Sequence, residues 1–313
     1  MTTSTVTATL RLGTRGSELA RTQSQAVADA ITAATGAPVE LVPIVTEGDR
    51  SSAAITQLGG TGVFVAAIRR ALLEGSVDLA VHSYKDLPTA AEPGLTIAAV
   101  PGREDPRDAL VARDGLTLGE LPPGSKVGTG APRRVAQLRA LGLGLDIVPI
   151  RGNVDTRLGR VAAGDLDAVV LARAGLSRLG RLGAITETLD PLQVLPAPAQ
   201  GALAVECRVS DARTRELIAR LEDASARACV VAERSTLAAL EAGCSAPVAA
   251  YAEVAEGEHG PELFLRASVT AIDGSDAVRG SIAGPLAESA ALGRALAAEL
   301  LDRGAAALMA VPT

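Results

Sequence analysis

The sequence predicts an α/β protein built of two similar lobes with mostly parallel sheets, followed by a small C-terminal α+β domain. Three observations carry this expectation. At 313 residues the chain is longer than one ordinary core accommodates. Apolar, β-branched runs alternate with amphipathic helical stretches as far as Gly201, the pattern of strands joined by helices. The third observation is an internal echo. Leu12-Gly13-Thr14-Arg15 is matched by Val127-Gly128-Thr129-Gly130, and Val42-Pro43-Ile44 by Val148-Pro149-Ile150. The turn-and-strand Gly75-Ser76-Val77-Asp78-Leu79-Ala80-Val81 is likewise matched by Gly164-Asp165-Leu166-Asp167-Ala168-Val169-Val170. Three matches in the same order point to two lobes of one design.

Element by element, residues 1–104 with 202–220 form the first lobe in this reading, and residues 105–201 the second. The Pro-rich stretch Leu195-Pro196-Ala197-Pro198-Ala199-Gln200-Gly201 returns the chain to the first lobe. Residues 221–313 form the third unit. It has a helix through Ala239, a Gly-Cys loop, strand-like runs Val248–Val254, Leu263–Thr270 and Ala277–Ile282, and a final helix Leu286–Asp302.

Composition removes several classes of function. With 30 basic and 36 acidic residues the net charge is −6, which argues against a general nucleic-acid or membrane-surface binder. An aromatic content of 1% argues against base stacking on single strands. Met1–Leu10 is Thr-rich with no apolar core, and no run approaches ~18 apolar residues, so a cytoplasmic protein is expected. Three widely spaced cysteines, Cys207, Cys229 and Cys244, make neither a disulfide framework nor a zinc knuckle, and no metal is expected. No long apolar edge or heptad demands a partner, so a monomer is expected.

In parallel sheets, ligands sit at the carboxyl ends of strands. Those ends carry Arg15 and Ser17, then Ser83, Lys85 and Asp86, then Gly130 to Arg134, then Arg151 to Arg157. Arg15, Arg133, Arg134, Arg151 and Arg157 would repel one another if they converged empty-handed, so their convergence implies a polyanionic guest. The Walker sequence Gly-x-x-x-x-Gly-Lys-Ser/Thr is absent. Asp86, placed among cations, stays ionised and can stabilise a passing cation and move protons. His82 reads as a satisfied core histidine, and Cys207 and Cys229 as small buried residues. Cys244 differs, lying on a loop just past a helix end in Gly243-Cys244-Ser245-Ala246-Pro247. Phe64 follows the glycine-rich stretch Gly59-Gly60-Thr61-Gly62, either a plain loop or a lid.

These motifs, with Arg103-Glu104-Asp105-Pro106-Arg107-Asp108, Arg151-Gly152-Asn153 and Glu233-Arg234, resemble the porphobilinogen deaminase family, in order, from about residue 11 to the C-terminus. The resemblance implies three domains, with two lobes of the periplasmic-binding-protein type. It implies a dipyrromethane cofactor held by a thioether at Cys244, and Asp86 as the catalytic carboxylate. It implies that Lys85, Ser83, Arg133, Arg134 and Arg157, with the amides of Gly130 and Ala131, bind that cofactor. Substrate contacts are implied for Arg15, Ser17, Arg151, Arg178, Gln23, Gln200 and Phe64. The reaction implied is head-to-tail condensation of four porphobilinogen molecules with loss of ammonia, giving hydroxymethylbilane in haem biosynthesis.

The chain departs from the family pattern at several points. Gln57 and Thr61 replace frequent lysines, and Gly130-Ala131-Pro132 replaces a hydroxyl-bearing stretch. Asp155 adds a negative charge, and Ala246 is small beside the cysteine. A two-lobed anion binder without chemistry and a Cys-dependent transferase are the rival readings. The first would carry no covalent adduct.

Overall fold

A computed structural model of the protein describes residues 8–44, 62–241, 246–257 and 260–309. The chain divides into two compact units, Met1–Arg103 with Ala202–Arg227, and Glu104–Gly201 with Ala228–Thr313.

The first unit is organised by a five-stranded sheet. Its strands are β1 (Leu10–Thr14), β2 (Val39–Pro43), β3 (Leu79–Ser83), β4 (Leu95–Ala99) and, from much later in the chain, β10 (Leu203–Arg208). They lie in the order β2-β1-β3-β10-β4, with β10 antiparallel to both neighbours and the other four running one way. Successive β3 side chains point to opposite faces. Leu79 and Val81 therefore join Val27 and Ile31 of helix α1 (Glu18–Thr35) and Ile218 of helix α6 (Ala212–Ala219) on one face. Ala80 joins Ile68 and Leu72 of helix α2 (Gly62–Leu73) on the other. Each of these large side chains contributes roughly 1.5–3 kcal/mol by burial.

The second unit holds two sheets. Its first is β5 (Asp108–Ala112), β6 (Lys126–Gly128), β7 (Asp146–Val148), β8 (Ala168–Ala172) and β9 (Glu187–Thr188), in the order β7-β6-β8-β5-β9. Again four strands run one way, and β5 opposes them. Helices α3 (Pro132–Ala140), α4 (Val154–Ala162) and α5 (Arg173–Arg178) follow β6, β7 and β8.

The predicted internal echo is present down to individual hydrogen bonds. Gly13 of β1 lies opposite Val42 and Ala80, and Gly128 of β6 lies opposite Val148 and Val169. The Arg11 amide donates to Asp78 Oδ2 (2.9 Å), and the Lys126 amide donates to Asp167 Oδ2 (2.7 Å). Before β3 and β8 the chain turns through a glycine with positive φ, 73° at Gly75 and 76° at Gly164. The fold class is thus two similar α/β lobes with mostly parallel sheets.

The second sheet of this unit is the small C-terminal one, β11 (Val248–Gly257), β12 (Gly260–Thr270) and β13 (Ala277–Pro285), all antiparallel. Leu263, Leu265, Ala267 and Val269 alternate inward from β12 onto α7 (Ala224–Ala239) and α8 (Ser289–Asp302), which is followed by α9 (Ala305–Met309). The strands run further than the sequence suggested, because β11 and β12 stay paired to Gly257 and Gly260 after their side chains leave the core. Helix α7 starts at Ala224, where Asp223 caps it by accepting from the Ala226 amide (2.9 Å), and ends at Ala239 as expected. The last helix starts at Ser289, after a 3₁₀ turn at Leu286–Glu288.

Candidate active site

In the first unit the predicted residues gather at the carboxyl ends of β1 and β3, which are adjacent strands. Ser17 caps α1, its hydroxyl accepting from the Ala20 amide at 3.3 Å. Six residues on, Gln23 is buried and its amide donates to the Ser83 hydroxyl at 3.2 Å, tying the helix to the end of β3. Residues Tyr84–Asp86 then form a single 3₁₀ turn. Tyr84 is buried and its amide donates to the Ala202 carbonyl (3.0 Å), while Leu87 is buried on the far side of the turn. The two anchors leave Lys85 half-buried and Asp86 exposed. Arg15 is half-buried immediately after β1. Phe64 lies within α2, and its side chain is outside the described residues, as are Gln57, Thr61 and Cys244.

In the second unit the paired arginines are engaged internally. Arg133 and Arg134 open α3 and are 4% and 5% exposed. Both grip Asp108, which is wholly buried at the start of β5: Arg133 Nη1 lies 2.7 Å from Oδ2 and Arg134 Nη2 lies 2.7 Å from Oδ1. Arg133 also donates to the Leu195 carbonyl (3.0 Å) and Gln200 Oε1 (3.1 Å). Gln200, fully buried, returns its amide to Asp108 Oδ1 and to the Pro106 carbonyl, both at 2.7 Å. Burial alone would raise the Asp108 carboxyl, but the two guanidiniums overcome it and hold the group far below the usual carboxylate range. Burial also lowers the Arg133 guanidinium. Arg133 and Gln200 therefore spend their donors inside the fold, where the sequence suggested ligand contacts. The Ala131 amide likewise already donates to the Thr129 hydroxyl at 3.3 Å, and Gly130 is exposed beside it.

Other arginines at the same strand ends have capacity to spare. Arg157, on the first turn of α4 behind the Asn153 cap, donates Nε to the Gly152 carbonyl (2.8 Å) and has no carboxylate partner among the described residues. Burial and the nearby Arg134 charge depress its guanidinium. Arg178 donates to the Gly201 carbonyl at 2.7 Å, and burial depresses it against the pull of Glu104. The Nε atoms of Arg134 and Arg173 are buried without a hydrogen-bond partner among the described residues. Arg151 is exposed. Asp155 is drawn aside, since it pairs with Arg181 at 3.0 Å.

Three residues of the interior were not legible as functional in the sequence. Asp108 sits in the wholly buried strand Asp108–Ala112, and a lone aspartate opening such a run is the signal that could have found it. Arg69 falls in the apolar stripe of α2 with Val65, Ile68 and Leu72, and Glu206 interrupts the buried run Leu203–Cys207. Glu206 pairs with both Arg69 and His82, so the histidine is buried with a partner, as expected. Cys207 and Cys229 are buried too, and burial pushes the Cys207 thiol up to about 11, which disqualifies it as a nucleophile.

Residues 10–216 match a family model described as porphobilinogen deaminase, dipyromethane cofactor binding domain, and residues 227–302 match the family's C-terminal domain. The porphobilinogen deaminase of Nocardia farcinica is 63% identical over 96% of this chain and 88% of its own length. That of Mycobacterium avium is 62% identical over 96% of each chain. The chain belongs to the porphobilinogen deaminase family. Among solved structures, a periplasmic substrate-binding protein of an ABC transporter from Coxiella burnetii is 14% identical with a TM-score of 0.44, over 68% of this chain and 91% of that one.

The cofactor that the porphobilinogen deaminase family model names is one this donor set fits. Dipyrromethane bears acetate and propionate groups, and the second unit offers Arg157, with no carboxylate partner, and two buried guanidinium nitrogens with no acceptor among the described residues.

Proposed function

We propose that this chain is a working porphobilinogen deaminase, a cytoplasmic transferase that joins four porphobilinogen molecules head to tail on a covalent primer and releases hydroxymethylbilane. The observation that carries the reading is the 3₁₀ turn at the end of β3, which presents the Asp86 carboxylate to solvent beside Lys85 and the Gln23–Ser83 pair. Its support is an identity of 63% across nearly the whole chain.

When bound at Cys244, dipyrromethane would supply a terminal pyrrole carbon as the first nucleophile. Arg157, Arg134 and Arg151, with Lys85 and Ser83, would hold its carboxylates. Loss of ammonia from porphobilinogen leaves an electron-poor carbon, and the Asp86 carboxylate stabilises the cation and takes up the proton the attacking ring gives back. Arg15, Ser17 and Arg178 would clamp the substrate's acetate and propionate, with Phe64 at the lid position. Arg133 and Gln200 act one step back, by fixing Asp108 and through it Arg134. Three domains, 1–104 with 202–220, 105–201 and 221–313, divide these tasks in the proposed scheme.

Replacing Asp86 with asparagine tests the assignment. Asp86→Asn should retain cofactor and fold but lose about 10²-fold or more in porphobilinogen turnover. Near-normal turnover would remove Asp86 from the mechanism.

A further inference from the structure

One face of the first sheet carries a buried ionic cluster that the proposed chemistry does not use. On β3, Ala80 and His82 face α2, and on the neighbouring antiparallel strand β10 the residue opposite Ala80 is Glu206. Glu206 is 2% exposed, His82 7% and Arg69, reaching down from α2, 8%. Arg69 grips the carboxylate side-on, with Nη2 2.9 Å and Nε 3.1 Å from Oε1. The other carboxylate oxygen, Oε2, lies 3.1 Å from His82 Nε2. Since a carboxylate can only accept, His82 Nε2 is the donor. Burial alone would raise the Glu206 carboxyl, but His82 and Arg69 hold it below its usual value, so it is ionised at neutral pH. Arg69 is tethered further by Glu92 at the rim, 3.3 Å away.

A buried charge cluster is a poor way to stabilise a sheet, because apolar residues of similar volume commonly do as well or better. What it adds is a single permitted geometry. His82 precedes the Ser83 hydroxyl by one residue and the Asp86 carboxylate by four, and the turn between them has no regular secondary structure beyond one 3₁₀ turn. We infer that Arg69, Glu206 and His82 form a positioning network that sets the orientation of the turn bearing Lys85 and Asp86, so that their loss slows the chemical step without releasing cofactor or substrate. Arg69 fixes the carboxylate against α2, the carboxylate fixes the imidazole, and the imidazole fixes the end of β3. None of the three touches the reacting atoms.

The inference rests on the proposed catalytic role of Asp86, and the test separates the two. Glu206→Gln, His82→Gln and the milder Arg69→Lys should be purified with cofactor attached, checked by intact mass, and assayed for kcat and KM with porphobilinogen. The expected result is kcat reduced about tenfold or more, KM within about twofold of wild type, and unchanged cofactor mass. The double variant His82→Gln with Glu206→Gln should be no slower than the slower single one, as members of one unit are non-additive. Arg69→Lys, which keeps the charge and loses the side-on fork, should fall between wild type and Glu206→Gln even where that variant does not fold. Cofactor-loaded variants with wild-type kcat, or additive losses in the double variant, would overturn the network while leaving Asp86 in place. A wild type without cofactor mass or turnover would strike the functional reading instead.

Discussion

Asp108 is the residue on which the second unit's paired arginines depend. It has no exposure, and it answers two guanidiniums and the Gln200 amide at once. Removing one partner of such a buried cluster leaves uncompensated charge, so Asp108→Ala should cost about 3–5 kcal/mol in urea unfolding. The pH dependence has a definite sign. A carboxyl depressed in the folded state contributes stability in full above its unfolded value, near 3.8, and that contribution is lost as pH falls below it toward the lower folded value. Wild-type stability should therefore hold a contribution at neutral pH that fades only in acid, and Asp108→Ala should show a shallower acid decline. An equal decline in both proteins would mean that Asp108 is not the group responsible.

At the scale of elements, the strand-end loops were legible because their chemistry is written locally. A hydroxyl, a lysine and an aspartate follow an apolar strand at Ser83–Asp86, and glycine followed by basic residues follows another at Gly128–Arg134. Which cations face a ligand was not legible, because that depends on partners far along the chain. Arg133 meets Asp108, Leu195 and Gln200, which lie 25, 62 and 67 residues away. The start of the last helix moved from Leu286 to Ser289 because a 3₁₀ turn, which periodicity does not distinguish from a helix, precedes it. The Pro-rich return segment is a close-packed element in its own right. Gly201 has φ of 87°, and a Cβ there would stand 2.4 Å from the Glu104 carbonyl oxygen. Gly201→Ala should therefore destabilise the protein by about 2 kcal/mol or more and disturb Arg178, whose guanidinium bonds the Gly201 carbonyl. Thermal unfolding checks it, and a wild-type Tm would contradict the packing described.

For the whole molecule, the internal repeat explains how an acidic chain of net charge −6 carries two sets of cation-bearing strand-end loops. Both lobes use one strand order and one register, so each places its loops at equivalent strand ends. The lobes then diverged in content: the turn after β3 carries Lys85 and Asp86, while the equivalent position after β8 opens α5 at Arg173. Among the described residues no helix is long and apolar enough to cross a membrane. Whether these loops serve a pyrrole chain tethered at Cys244 is read from the intact mass of the purified protein. Protein from cells that make porphobilinogen should exceed its sequence mass by two linked pyrrole units, and Cys244→Ser should not. A wild type of unmodified mass that also stays unmodified after incubation with porphobilinogen would contradict the tether.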